Sequence, residues 1–144
     1  MALTLPLWAH LDPRLPALLE RFGPALCSPE PQWDGNSWLH VTASARVWNP
    51  RRDAILERWS SKASAWELPG AHGEGDFDLE AVARREAMNT LGNATLGNGS
   101  PVEVVEHKIE EYWNTPTHWH LEIVFEFWLD EGVELARGVR WRRV

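Results

Sequence analysis

The stretch from Trp66 to Gly92, WELPGAHGEGDFDLEAVARREAMNTLG, constrains the fold of this chain more than any other segment. It predicts a short strand that ends at Leu-Pro-Gly, then a loop rich in glycine and acidic residues, and then one helix. The loop cannot be helical, because its three glycines give the backbone the freedom of a tight path. Asp78 can cap the helix, and Gly92 stands where a left-handed residue commonly ends one. A strand–loop–helix unit is therefore predicted over residues 66–92.

A segment before this unit alternates between apolar and polar residues, as a strand with one core face does. It is WLHVTASARVW, from Trp38 to Trp48, and its polar positions are His40, Thr42, Ser44 and Arg46. The polar face either lines a pocket, with Arg46 a candidate for a phosphate contact, or is solvated.

A second alternating segment, HWHLEIVFEFWL from His118 to Leu129, lies near the end of the chain. Two histidines and two glutamates share one face with Val124 and Trp128, and such a row is not expected to face a dry core unpaired. Three interpretations are open: a polar cleft wall that contacts a ligand, a solvated sheet face, or a metal site. A His-x-His pair can bind zinc, but the sequence shows no further ligand.

Shorter segments complete the predicted architecture. Residues 1–10 are expected to be a loose lead-in, and Asp12-Pro13 is expected to start a short amphipathic helix that ends at Gly23-Pro24. Further extended segments are predicted at Ala54–Trp59, Val102–Trp113, Val133–Ala136 and Val139–Trp141.

Length and composition limit which binding partners and which cellular compartment are expected. With 144 residues, the chain is expected to form a single domain over 1–144, with residues 1–36 as its N-terminal helix and connector. The net charge of −7 argues against nucleic acid or an anionic membrane as partner. A single cysteine, Cys27, and the lack of a secretory signal favour the cytoplasm.

The strand–loop–helix unit resembles the Nudix box of MutT-like hydrolases, written G-x5-E-x7-R-E-U-x-E-E-x-G-U with U an aliphatic residue. The alignment is anchored on Arg85-Glu86 and Gly92. The strings around His40 and His120 also resemble strands of a bacterial Nudix subgroup. The resemblance implies an α/β fold, the Nudix α/β/α sandwich on a mixed sheet, without the usual C-terminal helix. The box is degenerate, because its opening glycine, loop glutamate and paired glutamates fall on Ala71, Phe77, Asn89 and Thr90.

The degenerate positions decide what chemistry to expect. Residues 86, 89 and 90 share one helix face, where three carboxylates would bind hard divalent cations, but only Glu86 is a carboxylate here. The resemblance implies Mg²⁺ or Mn²⁺ as a weakly bound cofactor. The expected catalytic residues are Glu86 and Arg85, and the expected metal ligands are Glu86, Glu74, Asp76 and Glu126. The expected substrate-binding residues are Arg46, His40, His118, His120 and Glu122.

Three functions remain open on the sequence. The first is an active or weakened Nudix hydrolase acting on a nucleoside diphosphate linked to another group. The second is a binding module that holds a nucleotide or another small ligand without cleaving it, and the third is a structural or interaction protein. A homodimer is also expected, because without a C-terminal helix one sheet face rich in tryptophan and phenylalanine would stay uncovered.

Overall fold

The fold is a mixed eight-stranded sheet with two α-helices, in a computed structural model that describes residues 4–111 and 114–144. The helices are α1 (Leu15–Phe22) and α2 (Leu79–Thr90). The strands are β1 (Gln32–Trp33), β2 (Trp38–Trp48), β3 (Ala54–Ser60), β4 (Ala65–Glu67), β5 (Gly70–His72), β6 (Ser100–Ile109), β7 (His118–Trp128) and β8 (Val139–Arg143). The predicted α/β class is confirmed.

The sheet is organised around β2. Its main order is β4-β3-β2-β7-β6, while β1 and β5 also pair with β2, and β8 pairs with β3. The pair β2–β7 is parallel and the other pairs are antiparallel. Because β5 and β7 flank the same part of β2, the sheet brings the box-like loop and the histidine strand to one place.

The two faces of β2 differ as the alternation predicts. On one face, Leu39 lies beside Trp119 and Val41 beside Leu121, and this face packs into the core beneath α2. On the other face, His40 lies beside His120. The prediction of a polar face is confirmed, but its solvated alternative is wrong for residues 40, 42 and 44, because all three are buried.

Helix α1 begins later than the sequence indicates. Asp12 was expected as its N-cap, but the helix starts at Leu15 with Arg14 at the capping position. The Asp12 carboxylate accepts the main-chain N–H of Arg14 at 2.8 Å and also pairs with the Arg14 guanidinium. It therefore closes a turn ahead of the helix. The predicted end at Gly23 is confirmed, with φ at 58°.

The lead-in is more ordered than expected. Residues 1–3 lie outside the described part of the chain, but Leu7–Leu11 forms a 3₁₀ turn. Trp8 in this turn is buried, and its indole N–H donates to the Phe77 carbonyl at 3.1 Å. The expectation of a loose segment is wrong for residues 7–10, because a buried indole ring and its N–H partner hold them.

The helix of the box-like unit forms as predicted, but Gly70–His72 of the predicted loop is a strand, β5, that pairs with β2. Asp78 caps α2 by accepting the N–H of Ala81 at 3.2 Å, and Gly92 follows the helix with φ at 79°. Gly73 in the loop is pressed against the N-terminal segment, where a Cβ atom would lie 2.1 Å from the Cys27 carbonyl oxygen. Only glycine fits such an approach.

The end of the chain differs in detail. β6 stops at Ile109, and the predicted extension to Trp113 runs into residues 112 and 113, which lie outside the described part. Val133–Ala136 is not a strand, whereas β8 covers the predicted Val139–Trp141. In residues 4–111 and 114–144, no helix follows α2, as expected. None of the helices in these residues is long and apolar enough to cross a membrane.

Candidate functional site

Four histidines converge on the polar face of the sheet, and we refer to them as the histidine cluster. Strand register explains the convergence, since His40 pairs with His120 across β2–β7 and Thr42 pairs with His72 across β2–β5. The ring centre of His40 lies 4.7 Å from those of His72 and His120, and 5.1 Å from that of His118. The cluster therefore joins three strands that are far apart in sequence.

Main-chain carbonyls orient two of the rings. Nδ1 of His40 lies 3.0 Å from the Ser28 carbonyl oxygen, and Nδ1 of His118 lies 2.8 Å from that of Pro116. The Nε2 atoms of His118 and His120 lie 3.0 Å apart. Nε2 of His40 is buried and has no hydrogen-bond partner among the residues that the structure describes. A buried polar atom left unpaired is costly, so this nitrogen requires an explanation.

Two members of the cluster, His40 and His120, are uncharged at neutral pH. Burial lowers the pKa of His40 to about 4, and burial, helped by the neighbouring imidazoles, lowers the pKa of His120 to about 3. Desolvation disfavours the charged form of an imidazole, which is the reason for both directions. Neutral imidazole is the form of histidine that ligates metals. His40, His118 and His120 are the residues of this face that could hold one, with a nitrogen of each within 4.8 Å of the others.

Glu122 continues the polar face beyond the cluster. Its carboxylate lies 3.5 Å from Nε2 of His107 on β6, and burial raises its pKa. Four of the five predicted substrate-binding residues, His40, His118, His120 and Glu122, are therefore close together on one face of the sheet.

The fifth, Arg46, lies elsewhere. It is six residues along β2 from His40, which is roughly 20 Å at the rise of a strand. Its guanidinium pairs with Glu103 and lies 3.8 Å from Glu126. Glu126 in turn accepts the indole N–H of Trp48 at 3.0 Å. Arg46 and Glu126 therefore lie close to each other at the far end of the strand, away from the histidines.

Glu86 on the box-like helix is paired with a cation from the protein itself. Its carboxylate lies 3.5 Å from the Arg58 guanidinium, which also donates to the Gly70 carbonyl at 2.6 Å. The Thr90 hydroxyl donates to the main-chain oxygen of Glu86 at 2.7 Å, so it is turned back along the helix. Arg58 was not identified from the sequence, because only the pairing of β3 with its neighbours brings it to α2.

In the loop, Arg85 and the expected metal ligands Glu74 and Asp76 have partners within the protein. Arg85 forms an ion pair with Glu74, and Asp76 accepts the N–H of Asp78 at 2.9 Å. Within the described ranges, the only set of three potential metal-ligating side chains is that of the three histidines. Glu86, Glu74, Asp76 and Glu126 do not come together.

His72 is the member of the cluster that sequence reasoning missed. It is the last residue of β5 and is exposed at the edge of the cluster. A three-residue strand shows no alternation from which its orientation can be predicted. Only its pairing with Thr42 places its ring on the polar face.

A groove of about 480 Å³ lies between α1, the β1–β2 turn and β6–β7. Leu39, Trp119 and Leu121 line it, which are residues of the apolar face, and the ion pair of Arg14 with Glu106 borders it. None of the predicted site residues lines this groove.

The sequence and the fold were compared with known proteins. No protein-family model and no curated protein matches the sequence. The fold resembles that of the E. coli dihydroneopterin triphosphate pyrophosphohydrolase, with a TM-score of 0.54 and 13% identity over 72% of this chain and 80% of that one. It also resembles the Nudix domain of Shewanella oneidensis NrtR, solved in complex with ADP-ribose, with a TM-score of 0.52 and 14% identity over 72% and 71%.

A third similar structure is the Ap4A hydrolase of C. elegans, with a TM-score of 0.51 and 13% identity over 72% of this chain and 79% of that one. At identities this low, the similarity is evidence for the fold and not for the activity. Together with the box-like loop and helix formed by β5 and α2, these likenesses show that the chain has the fold of the Nudix hydrolases.

Proposed function

We propose that this protein is a divergent Nudix protein in which ordinary Mg²⁺- or Mn²⁺-dependent hydrolysis of nucleoside-diphosphate-linked compounds is weak or absent. One observation carries the proposal: the only carboxylate left at the box positions, Glu86, is paired with Arg58. A guanidinium beside Glu86 supplies the positive charge that a bound cation would otherwise supply.

The remaining box positions support the same conclusion. Mg²⁺ often needs only one or two protein carboxylates together with substrate oxygens. Here Asn89 and Thr90 contribute no charge, and Glu74 is held by Arg85. A cation at Glu86 would have to displace Arg58 without a second carboxylate to compensate.

A second candidate function, binding of a nucleotide-like small ligand, is favoured by the polar face. Trp33 and Trp38 are both exposed and their rings lie 5.4 Å apart. By the alternation of β2, Trp38 is on the same face as His40. Aromatic rings beside a row of polar side chains are suited to a ligand that has both a base and polar groups. ADP-ribose, the ligand of the similar NrtR domain, is a suitable probe.

Hydrolysis tests the first proposal. Formation of nucleoside monophosphate is measured on a panel of nucleoside-diphosphate-linked compounds with Mg²⁺ or Mn²⁺, for the unmodified protein and for Glu86→Gln. We expect little turnover from either. Brisk metal-dependent turnover that disappears in Glu86→Gln would overturn the proposal.

A gain of metal binding tests the physical reason. The double change Asn89→Glu and Thr90→Glu places two more carboxylates on the helix face of Glu86. Because even changes around metal ligands alter affinity about 10–100-fold, we expect Mn²⁺ to bind at least about tenfold tighter in calorimetric titration. The control adds the same charge elsewhere, as Ser61→Glu and Ala63→Glu in the exposed β3–β4 loop. An equal gain in the control would show that net charge alone is responsible.

Thermal shifts test the binding function. Saturation at 100 times the dissociation constant adds about 2.7 kcal/mol to the free energy of unfolding, which raises Tm measurably. We expect ADP-ribose to raise the Tm of the unmodified protein, Trp38→Ala to reduce the shift, and Trp59→Ala to leave it unchanged. Trp59 is a matched control because it is at least as exposed as Trp38, but lies on β3. The lack of a shift with any nucleotide would favour a structural or interaction role.

A further inference from the structure

Three members of the histidine cluster form a compact set of nitrogens, and we refer to them as the three-histidine site. One ring nitrogen from each of His40, His118 and His120 lies within 4.8 Å of the other two. The nitrogens of a tetrahedral zinc site, with bonds of about 2.0–2.1 Å, lie roughly 3.3 Å apart. Small rotations of the rings would therefore bring the three nitrogens to metal-binding distances.

Hydrogen bonds determine which nitrogens are available. A main-chain carbonyl can only accept, so the Nδ1 atoms of His40 and His118 donate to Ser28 and Pro116 and carry the ring protons. In a neutral imidazole the other nitrogen, Nε2, then has a free lone pair. A carbonyl that holds one ring nitrogen while the other faces inward is the usual arrangement around metal-ligating histidines.

The unpaired Nε2 of His40 is the second, independent observation. The His40 side chain is only 1% exposed, so solvent does not satisfy this atom, and no described residue does so either. Nε2 of His118 lies 3.0 Å from Nε2 of His120, which can donate its proton to it, whereas the Nε2 lone pair of His40 has no proton to accept. A cation among the three rings would bind the lone pairs of His40 and His118, and that of His120 once its ring proton moves to Nδ1.

We propose that His40, His118 and His120 bind one divalent transition-metal ion through their Nε2 atoms, with Zn²⁺ as the expected metal. Imidazole nitrogens suit zinc and its neighbours in the first transition row, whereas Mg²⁺ and Ca²⁺ require oxygen ligands. The site is separate from Glu86, because α2 packs against the opposite face of β2.

The fourth coordination position is open on the side of His72. The His72 ring lies 4.7 Å from that of His40 and 5.2 Å from that of His120, and it is exposed. Three histidines with one exchangeable position, occupied by water or by a ligand oxygen, is a coordination that catalytic zinc sites use. We therefore expect His72→Gln to retain the metal.

The test is a titration of the full chain after removal of metals with EDTA. Zn²⁺ is added in calorimetry, and Co²⁺ is added while visible absorption is followed, because a low-coordinate Co²⁺ ion absorbs strongly. We expect one equivalent of Zn²⁺ to bind and to raise Tm by about 5–10 °C at 100 times its dissociation constant. Each of His40→Gln, His118→Gln and His120→Gln should weaken binding by more than about 100-fold, since even indirect changes cost about 10–100-fold.

Two controls separate this site from others. His10→Gln removes an exposed histidine outside the cluster and should bind Zn²⁺ normally. Glu86→Gln should also bind normally, so that a failure of the proposed function and a failure of this inference give different results. If the three cluster variants bound Zn²⁺ as tightly as the unmodified protein, the inference would be overturned. The lack of any Zn²⁺ or Co²⁺ binding by the unmodified protein would also overturn it.

X-ray absorption of the zinc-loaded protein gives a readout that does not depend on any variant folding. The expected spectrum shows about three imidazole ligands and one oxygen ligand. A spectrum dominated by oxygen or sulfur ligands would contradict the three-histidine site.

Discussion

Cys27 illustrates at the scale of one residue how the N-terminal segment is joined to the box-like loop. Its side chain is fully buried, and its carbonyl oxygen accepts the N–H of Gly75 at 3.0 Å. Burial, together with the negative charge of Asp76, raises the pKa of the thiol to about 12. The thiolate, which is the nucleophile, is therefore both scarce and inaccessible in the folded protein.

Thiol labelling measures this protection. At pH 8 we expect Cys27 in the folded protein to react with a disulfide reagent far more slowly than in 6 M guanidinium chloride. In the unfolded chain the thiol regains a pKa of about 8.5. Raising the pH from 8 to 9 should accelerate labelling of the unfolded chain and leave the folded protein slow. Rapid labelling of the native protein at pH 8 would show that the segment around residue 27 opens easily.

Individual site residues could be predicted only in part. The period of two placed His40 on the polar face of β2, and His118, His120 and Glu122 on the polar face of β7. It did not show that the histidines meet, because the register between strands far apart in sequence is set by packing and not by local pattern. For the same reason Arg46 was grouped with residues that lie at the other end of the strand.

At the scale of elements, α2 is the unit whose limits the sequence specifies best. Its start depends on the Asp78 carboxylate, which accepts the Ala81 N–H, and its end on the left-handed Gly92. Both signals act within a few residues of the helix ends, so both limits could be predicted from the sequence. The start of α1 was not, because the Asp12 carboxylate has a competing partner in Arg14.

Removal of the cap tests this account of α2. We expect Asp78→Ala to lower the free energy of unfolding by about 1 kcal/mol, since an unpaired N–H is left in the first turn and a negative charge near the helix N-terminus is lost. Urea unfolding followed by circular dichroism measures the change. Asp130→Ala, in the exposed turn after β7, removes the same charge without a cap and should change stability by less than about 0.5 kcal/mol. Equal losses in the two variants would contradict the capping role.

At the scale of the whole molecule, the polar side of the sheet lacks a covering helix in the described residues. It is less apolar than expected, because Phe125 and Phe127 point into the core. Trp128 is exposed there beneath the Arg52 guanidinium, and Glu57 pairs with Arg140 and Arg142. The α/β architecture was predictable from the alternation of apolar and polar residues. The ion pairs and the cation–π contact on this face were not predictable.

The homodimer remains a prediction, with Trp128 as its test. Specific interfaces bury aromatic residues near their centre and lose affinity when these are replaced. We expect light scattering to give the mass of a dimer for the unmodified protein, and Trp128→Asp to shift it toward the monomer. Leu7→Asp, at a residue that is more exposed and lies in the N-terminal turn, should leave the dimer intact. A monomer mass that does not change with concentration would rule the dimer out.

The parallel pairing of β2 with β7 has a consequence for how the protein is made. Leu39 and Trp119, which lie side by side, are 80 residues apart in the chain. Closing so large a loop is slow compared with forming the β2–β3 hairpin or α2, so the docking of β7 is expected among the late events of folding. A chain emerging from the ribosome presents His40 and His72 long before His118 and His120. The histidine cluster cannot exist in a partly synthesised chain, and its completion coincides with the acquisition of the native topology.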